Sequence, residues 1–321
     1  MYGAAKRIFS AFHLYLYISM WYAFFNESSF HMQATLESVP REETDMSNEK
    51  RAWPAEADLF FNEILAHDEI RREMLAHPEC WENGKKLAEA IWDRAPERLK
   101  IDTGMELLYA LALLPEKVLA KNGARGIPQA VTIDTLRDVN TWIQNYRDYY
   151  GGLGVMATNW MQYHFTGDLF QMGRLQFRIA PAKDGEPGDY TIETHIPQGP
   201  GLTVENCYES FHQAVDFFAR YFPEYRPECI VCHSWLICPQ LAEILTEDSK
   251  IVRFMRMWIQ NPWPPDDSNH AMKMVFGYDC TREQLPNAPE NTSLQRNLKQ
   301  YLLSGKQIHK SAGYILLPLD R

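Results

Sequence analysis

The sequence predicts an α+β protein, with an all-helical N-terminal domain over residues 51–155 followed by a mixed α/β sheet domain over 156–321. Two observations carry that expectation. From residue 53 to about 150, apolar side chains recur at helical spacing and no alternating run interrupts them. After Gly167 the period changes to two, and strand-like runs then alternate with helical ones. A third observation, the strand–loop–helix passage over 190–218, marks where function is to be sought.

In the helical half, Phe60, Phe61, Ile64 and Leu65 form one apolar stripe, and Leu87, Ala90 and Ile91 carry another turn. Residues 105–114 make a strongly apolar helix, and Pro115 opens a short segment that stops at Asn122-Gly123. Thr132 reads as the N-cap of one helix running through Ile133, Leu136, Val139, Ile143 and Tyr146 to Gly151-Gly152. A further turn with Trp160, Met161, His164 and Phe165 leads to Gly167. Leu175, Phe177 and Ile179 then alternate with Arg174, Gln176 and Arg178 as a strand, joined through the polar turn 184–188 to a second strand over 190–196. Beyond the helix that follows, the pattern predicts strands over 229–236, 251–259, 272–278 and 314–317, with helices over 239–245 and 293–303.

Composition excludes some functions. The net charge of -10 argues against broad nucleic-acid binding or stable membrane association, both of which need a basic surface. The six cysteines are sparse and irregularly spaced, which fits reduced thiols in the cytoplasm. At the N-terminus, Lys6 and Arg7 precede an uncharged run over 8–26 that resembles a signal peptide or anchor. Its many Tyr, Trp, His and Ser residues favour reading 1–31 as an over-long translation start, with Met32 or Met46 the natural beginning. The tract 37–50 reads as a disordered lead-in, so 1–50 is set apart as an extension.

In the passage over 190–218, the strand breaks at Pro197 and the chain turns through Gln198-Gly199-Pro200-Gly201-Leu202. A helix then starts at Thr203, with Val204, Cys207, Tyr208, Phe211, Val215 and Phe218 on one stripe. A glycine loop opening a helix directs backbone N–H groups and the positive end of the helix dipole at one point, which suits a phosphate or pyrophosphate. Three features weaken it: Pro200 lacks an N–H, Glu205 brings a negative charge, and Thr203 equally fits a plain cap.

The wider sequence narrows this. Trp160-Met161, Gly173-Arg174-Leu175-Gln176-Phe177, His195-Ile196-Pro197 and Cys232-His233-Ser234-Trp235-Leu236 with Pro239 and Leu241 resemble a family of bacterial acyltransferase-domain proteins. These join an N-terminal helical domain to a GNAT-like C-terminal domain, and the resemblance covers about residues 52–318. In GNAT-type N-acyltransferases a Gln-x-x-Gly-x-small loop holds the pyrophosphate of acyl-CoA. Gln198 and Gly201 match it, while Thr203 stands where that family has Gly or Ala. The resemblance implies an acyl-CoA-dependent N-acyltransferase using acetyl-CoA or another acyl-CoA and no metal. It implies Gln198, Gly199, Gly201, Leu202 and Thr203 as the cofactor loop, and a small-molecule or peptide amine as acceptor.

Acyl transfer to an amine needs a base for the ammonium proton. Strand parity puts Glu193 and His195 on one face, one step from the loop, so either is a candidate. The structural alternative pairs Glu193 across the hairpin with Arg174 or Arg178. His233 and Ser234 are second candidates, on the strand that in the GNAT order borders the acyl channel. Cys229-Ile230-Val231-Cys232-His233 also matches the c-type haem attachment motif, but a strand sends Cys229 and Cys232 to opposite faces. The same parity weakens a zinc site. Trp258 and the Pro-rich loop over 261–265 are candidates to line an acceptor pocket. The competing class of function is a non-catalytic GNAT-like binding or regulatory module, favoured by the imperfect loop.

Overall fold

The structure is a computed structural model describing residues 53–93, 99–101, 104–262 and 269–319. The expectations for 1–50 and for Trp263 in the Pro-rich loop lie outside these residues. The helical half contains α1 (Asp68–Leu75), α2 (Cys80–Asp93), α3 (Gly104–Ala112), α4 (Pro115–Ala124), α5 (Gln129–Leu136), α6 (Val139–Tyr150) and α7 (Thr158–His164). Helix α3 is buried along its whole length except at Met105 and Glu106, so it serves as the hub of this half. Gly84 of α2 lets it approach closely: a Cβ there would lie 2.7 Å from Tyr109 Cβ.

The single helix expected from Thr132 to Tyr146 is two. Helix α5 starts directly after Pro128, Thr132 lies inside it, and the chain breaks at Arg137-Asp138 before α6. The arginine binds outward, donating from Nε to Glu63 O at 3.0 Å, while Asp138 becomes the N-cap residue of α6. Leu136 and Val139, both fully buried, flank the break, so the apolar period continues through it and hides it from the sequence.

The sheet half holds β1 (Phe170–Met172), β2 (Leu175–Pro181), β3 (Tyr190–His195), β4 (Cys229–Ser234), β5 (Ile259–Asn261) and β6 (Ser311–Leu316), in the order β1-β2-β3-β4-β6-β5. Helix α8 (Val204–Tyr221) follows β3. It lays Cys207, Phe211, Ala214 and Phe218 into the core shared with Phe177, Ile192, Ile230 and Cys232 of the sheet. Helices α9 (Lys250–Met255), α10 (His270–Phe276) and α11 (Ser293–Leu303) complete this half.

Two expected strands are therefore helices. Residues 250–255 bury Ile251, Val252, Phe254 and Met255, and residues 270–276 bury Ala271, Met272, Val275 and Phe276. Both sets repeat at three to four residues, the period of a helix face, although their β-branched and aromatic content favours strands. The segment 239–243 is a short 3₁₀ turn, and β4 ends at Ser234 instead of running to Leu236.

Pairing of β3 with β4 is parallel, and every other registered pairing among the described residues is antiparallel. The parallel register runs Ile192↔Ile230, Glu193↔Val231, Thr194↔Cys232 and then stops. His195 and His233 lie one position beyond, where the two strands part.

Candidate active site

One face of the sheet packs on α8. The other carries Arg178, Glu193 and His195 toward the helical half, where the Arg178 guanidinium lies 4.5 Å from the Tyr163 ring of α7. His195 stacks on Trp160 of the same helix, with ring centroids 4.2 Å apart. Beside them a cavity of about 740 Å³ lies between the halves, reached by both His195 and His233. Its remaining wall is largely apolar and aromatic, including Tyr146, Tyr150, Met274 and Tyr278.

Glu193 and His195 share this face, yet their surroundings differ. Glu193 receives Arg178 Nε at 2.5 Å across the hairpin, lies 2.9 Å from His233 Nδ1, and has Lys183 Nζ at 3.6 Å. The cross-strand partner is thus Arg178; Arg174 instead donates from Nη2 to Gly199 O at 2.9 Å. Burial works against a charge on Glu193, but the His233 hydrogen bond and the Arg178 and Lys183 cations outweigh it and hold the carboxyl down at about 2. Such a carboxylate is a weak base.

His195 is the opposite case. Burial pushes its pKa down to about 3, against an upward pull from Asp138, so the ring is neutral at pH 7. Its Nε2 is buried and makes no hydrogen bond. Across the β2–β3 register from it sits Gln176, fully buried, with both amide atoms equally without a partner. Buried polar atoms left open in this way mark places where a ligand or water completes the bonding.

His233 is clamped. Its Nδ1 faces Glu193 and its Nε2 lies 2.6 Å from Glu186 Oε1, so each ring nitrogen faces a carboxylate. Glu186 comes from the turn between β2 and β3, a segment whose sequence predicts only a connector. Ser234 does not join the group: its hydroxyl accepts Leu236 N–H at 3.1 Å, and it is absent from the cavity wall.

In the loop, Gly199 has φ 139° and Gly201 φ 82°, values that favour glycine. Leu202 is fully buried and anchors the turn. Gln198 does not face the helix start; its Oε1 accepts Asn145 Nδ2 at 2.8 Å and ties the loop to α6. The Thr203 N–H donates to Gly201 O at 2.8 Å, and its hydroxyl caps α8 by accepting Asn206 N–H at 3.3 Å. The N–H expected to face a pyrophosphate at Thr203 is thus spent inside the turn. The N–H groups of Val204 and Glu205, in the first helical turn, have no acceptor within the helix. A smaller cavity of about 290 Å³ opens beside Gln198, Gly199 and Pro200, with Arg174 and Asp138 in its wall.

Cys229 and Cys232 are buried in β4, and burial raises both thiols, Cys229 to about 12. Trp258 is also buried, against Phe211 and Phe254, so it packs the core and is no part of the cavity wall.

Comparison with known proteins agrees with this geometry. The family described as N-acyltransferase N-terminal domain matches residues 59–167, and the family described as GNAT-like C-terminal domain matches 169–315. No curated protein matches the chain. Among solved structures, an acyltransferase in complex with decanoyl-CoA and teicoplanin is 27% identical with a TM-score of 0.71, covering 81% of this chain and 86% of its own. An acyltransferase in complex with CoA and 10C-teicoplanin is 26% identical with a TM-score of 0.73, covering 85% and 91%. An acyltransferase mutant in complex with octanoyl-CoA is 27% identical, at 0.71, covering 81% and 86%. With both domains matched in order, the chain belongs to the acyltransferase family that joins an N-acyltransferase N-terminal domain to a GNAT-like C-terminal domain.

Proposed function

We propose that this protein transfers an acyl group from acyl-CoA to an amine by direct attack in a ternary complex, with His195 as general base. The observation that carries this reading is the buried, open Nε2 of His195 in the wall of the cavity between the halves. Nitrogen of the acceptor attacks the thioester carbonyl and a C–N bond forms. Its proton passes to His195 Nε2, the C–S bond breaks, and the CoA thiolate leaves and takes up a proton.

Glu193 fits a different role. Engaged by Arg178 and His233, it fixes the polar end of the sheet face beside the base. Gly201, Leu202 and the free N–H groups of the first turn of α8 supply the phosphate site, and Arg174 adds a cation close to the loop. The resemblance leaves the donor as acetyl-CoA or another acyl-CoA. The size and apolar wall of the cavity, with similar proteins seen holding decanoyl-CoA and octanoyl-CoA, favour a longer one. The acceptor class that fits is a small-molecule or peptide amine; a similar acyltransferase is seen in complex with teicoplanin. Six cysteines free of disulfides fit a cytoplasmic enzyme.

A non-catalytic binding module remains the second reading, favoured by the internal use of the Thr203 N–H. Calorimetric titration with CoA, then thiol release from acetyl-, octanoyl- and decanoyl-CoA over a panel of amines, separates the two. Binding with amine-dependent thiol release is expected, fastest with the longer donors. Absence of CoA binding at millimolar concentration rejects the enzyme reading, and fastest turnover with acetyl-CoA rejects the longer chain.

A further inference from the structure

The cavity between the halves has a polar flank and an apolar one. His195, His233 and Lys310 stand on or beside strands of the sheet, while the helical half faces them mainly with apolar and aromatic groups, among them Ile101, Trp142 and Val155. Trp142, Tyr146 and Tyr150 recur every fourth residue of α6, so they form one aromatic stripe about 12 Å long. Trp142 is 8% exposed and Tyr150 57%, so the stripe runs from the closed end of the cavity to its mouth.

Tyr146, midway along the stripe, is held at both edges of its ring. A Cβ on Gly154 would lie 2.5 Å from Cε1 and Cζ of that ring, and a Cβ on Gly104 would lie 2.6 Å from Cε2. Neither glycine stands at a positive φ, so the backbone does not call for glycine at these positions; the ring does. The segment carrying Gly154 is itself fastened. Val155 N–H donates to Gly104 O, and Met156 N–H to Trp142 O, each at 3.1 Å. On the mouth side the Tyr150 ring lies 4.8 Å away, centroid to centroid. A ring packed this closely forms a fixed wall that a ligand does not push aside.

We propose that Tyr146 sets the length of acyl chain that the protein accepts. The thioester lies against His195 on the polar flank, the chain runs into the helical half, and the pinned ring stops its methyl end. This rests on the cavity being the acyl site, as the proposed function has it. Gly104 and Gly154 are positioning residues for the ring; Gly154 lies outside the cavity wall and acts on the chain only through Tyr146. A chain gains affinity with each methylene it buries until it meets an immovable group, and past that point overpacking turns the gain into a loss.

The test measures calorimetric affinity of the full chain for CoA, octanoyl-CoA and dodecanoyl-CoA, and kcat/KM for thiol release from the two acyl donors with the fastest amine. The parent should bind octanoyl-CoA more tightly than CoA and favour it over dodecanoyl-CoA. Tyr146→Ala opens the wall, so the dodecanoyl-to-octanoyl ratio should rise about 10-fold or more in both measurements. Tyr146→Leu, a milder change, should move the ratio in the same direction and serves if the alanine variant does not fold. Tyr146→Phe keeps the ring and should keep the parental ratio, whereas Gly154→Ala displaces the ring and should change it. A purely structural role lowers the folded fraction for both donors alike and leaves the ratio where it was.

An unchanged ratio in the folded Tyr146→Ala or Tyr146→Leu protein overturns the proposal. A changed preference among amines with the donor ratio fixed overturns it too, because the ring then meets the acceptor. Should the parent bind octanoyl-CoA no better than CoA, the acyl reading of the cavity falls and this proposal with it. Should the parent favour octanoyl-CoA while the variants keep its ratio, only the length-setting role of Tyr146 falls.

Discussion

Replacing Glu193 by Gln separates a structural carboxylate from a catalytic one. In the folded protein its carboxyl stands at about 2 against an ordinary 4.5. At about 1.36 kcal/mol for each pH unit, that gap amounts to about 3 kcal/mol of stability at pH 7. The figure agrees with the usual cost of removing one partner from a buried ion pair, about 3–5 kcal/mol, and the side chains of Arg178 and Glu193 are only 18% and 12% exposed. The sign follows from proton binding. Between pH 4.5 and about 2 the unfolded carboxyl binds more protons than the folded one, so this stability falls as pH falls through that window. Urea unfolding followed by tryptophan fluorescence should place the variant about 1 M lower in midpoint at pH 7. The difference should narrow to roughly half by pH 3. Turnover per folded molecule should stay within a few-fold of the parent, whereas loss of a general base costs about 100-fold or more. An unchanged midpoint at pH 7, or a difference that persists undiminished at pH 3, refutes the ion-network account; a hundredfold fall in turnover returns the base to Glu193.

His195→Gln should lower turnover by about 100-fold or more while calorimetric CoA affinity stays near parental, since the ring meets the acceptor and not the pyrophosphate. Because the buried ring resists protonation, its removal should also flatten the loss of stability between pH 6.5 and about 3, where the unfolded histidine binds the extra proton. Gly201→Asp brings a carboxylate into the loop at a φ of 82°, with Asn206 Nδ2 only 3.2 Å from the new Cβ; CoA affinity should drop about 10-fold or more with circular dichroism unchanged. Gly84→Val places its side chain against Tyr109 Cβ at 2.7 Å where α2 crosses α3, so a loss of about 2 kcal/mol is expected in the same urea assay, with CoA binding retained by the folded fraction.

The strand–loop–helix passage was legible because each of its parts has a local cause: period-two alternation over β3, glycines where φ is positive, and a threonine able to cap α8. The same local signals failed at α9 and α10. There β-branched and aromatic residues spell strand in composition, while the faces they bury follow the helical period. Within the site, strand parity placed Glu193 and His195 on one face, yet parity says nothing about which groups close on each. The clamp on His233 depends on Glu186, a turn residue 47 positions away, and no spacing rule foretells that contact. Thr203 shows the converse: a residue whose plain role as a cap was readable from sequence, and which spends its N–H in the turn as well.

The site is a property of the seam and not of either half. The sheet supplies His195, whose Nε2 is buried and whose ring is hard to protonate. The helical half supplies the Trp160 surface it stacks on, from α7, and the Asn145 amide that holds Gln198, from α6. Neither contribution can be made by the sheet half alone, so a change that loosens α6 or α7 from the sheet should disturb the loop and the His195 ring together.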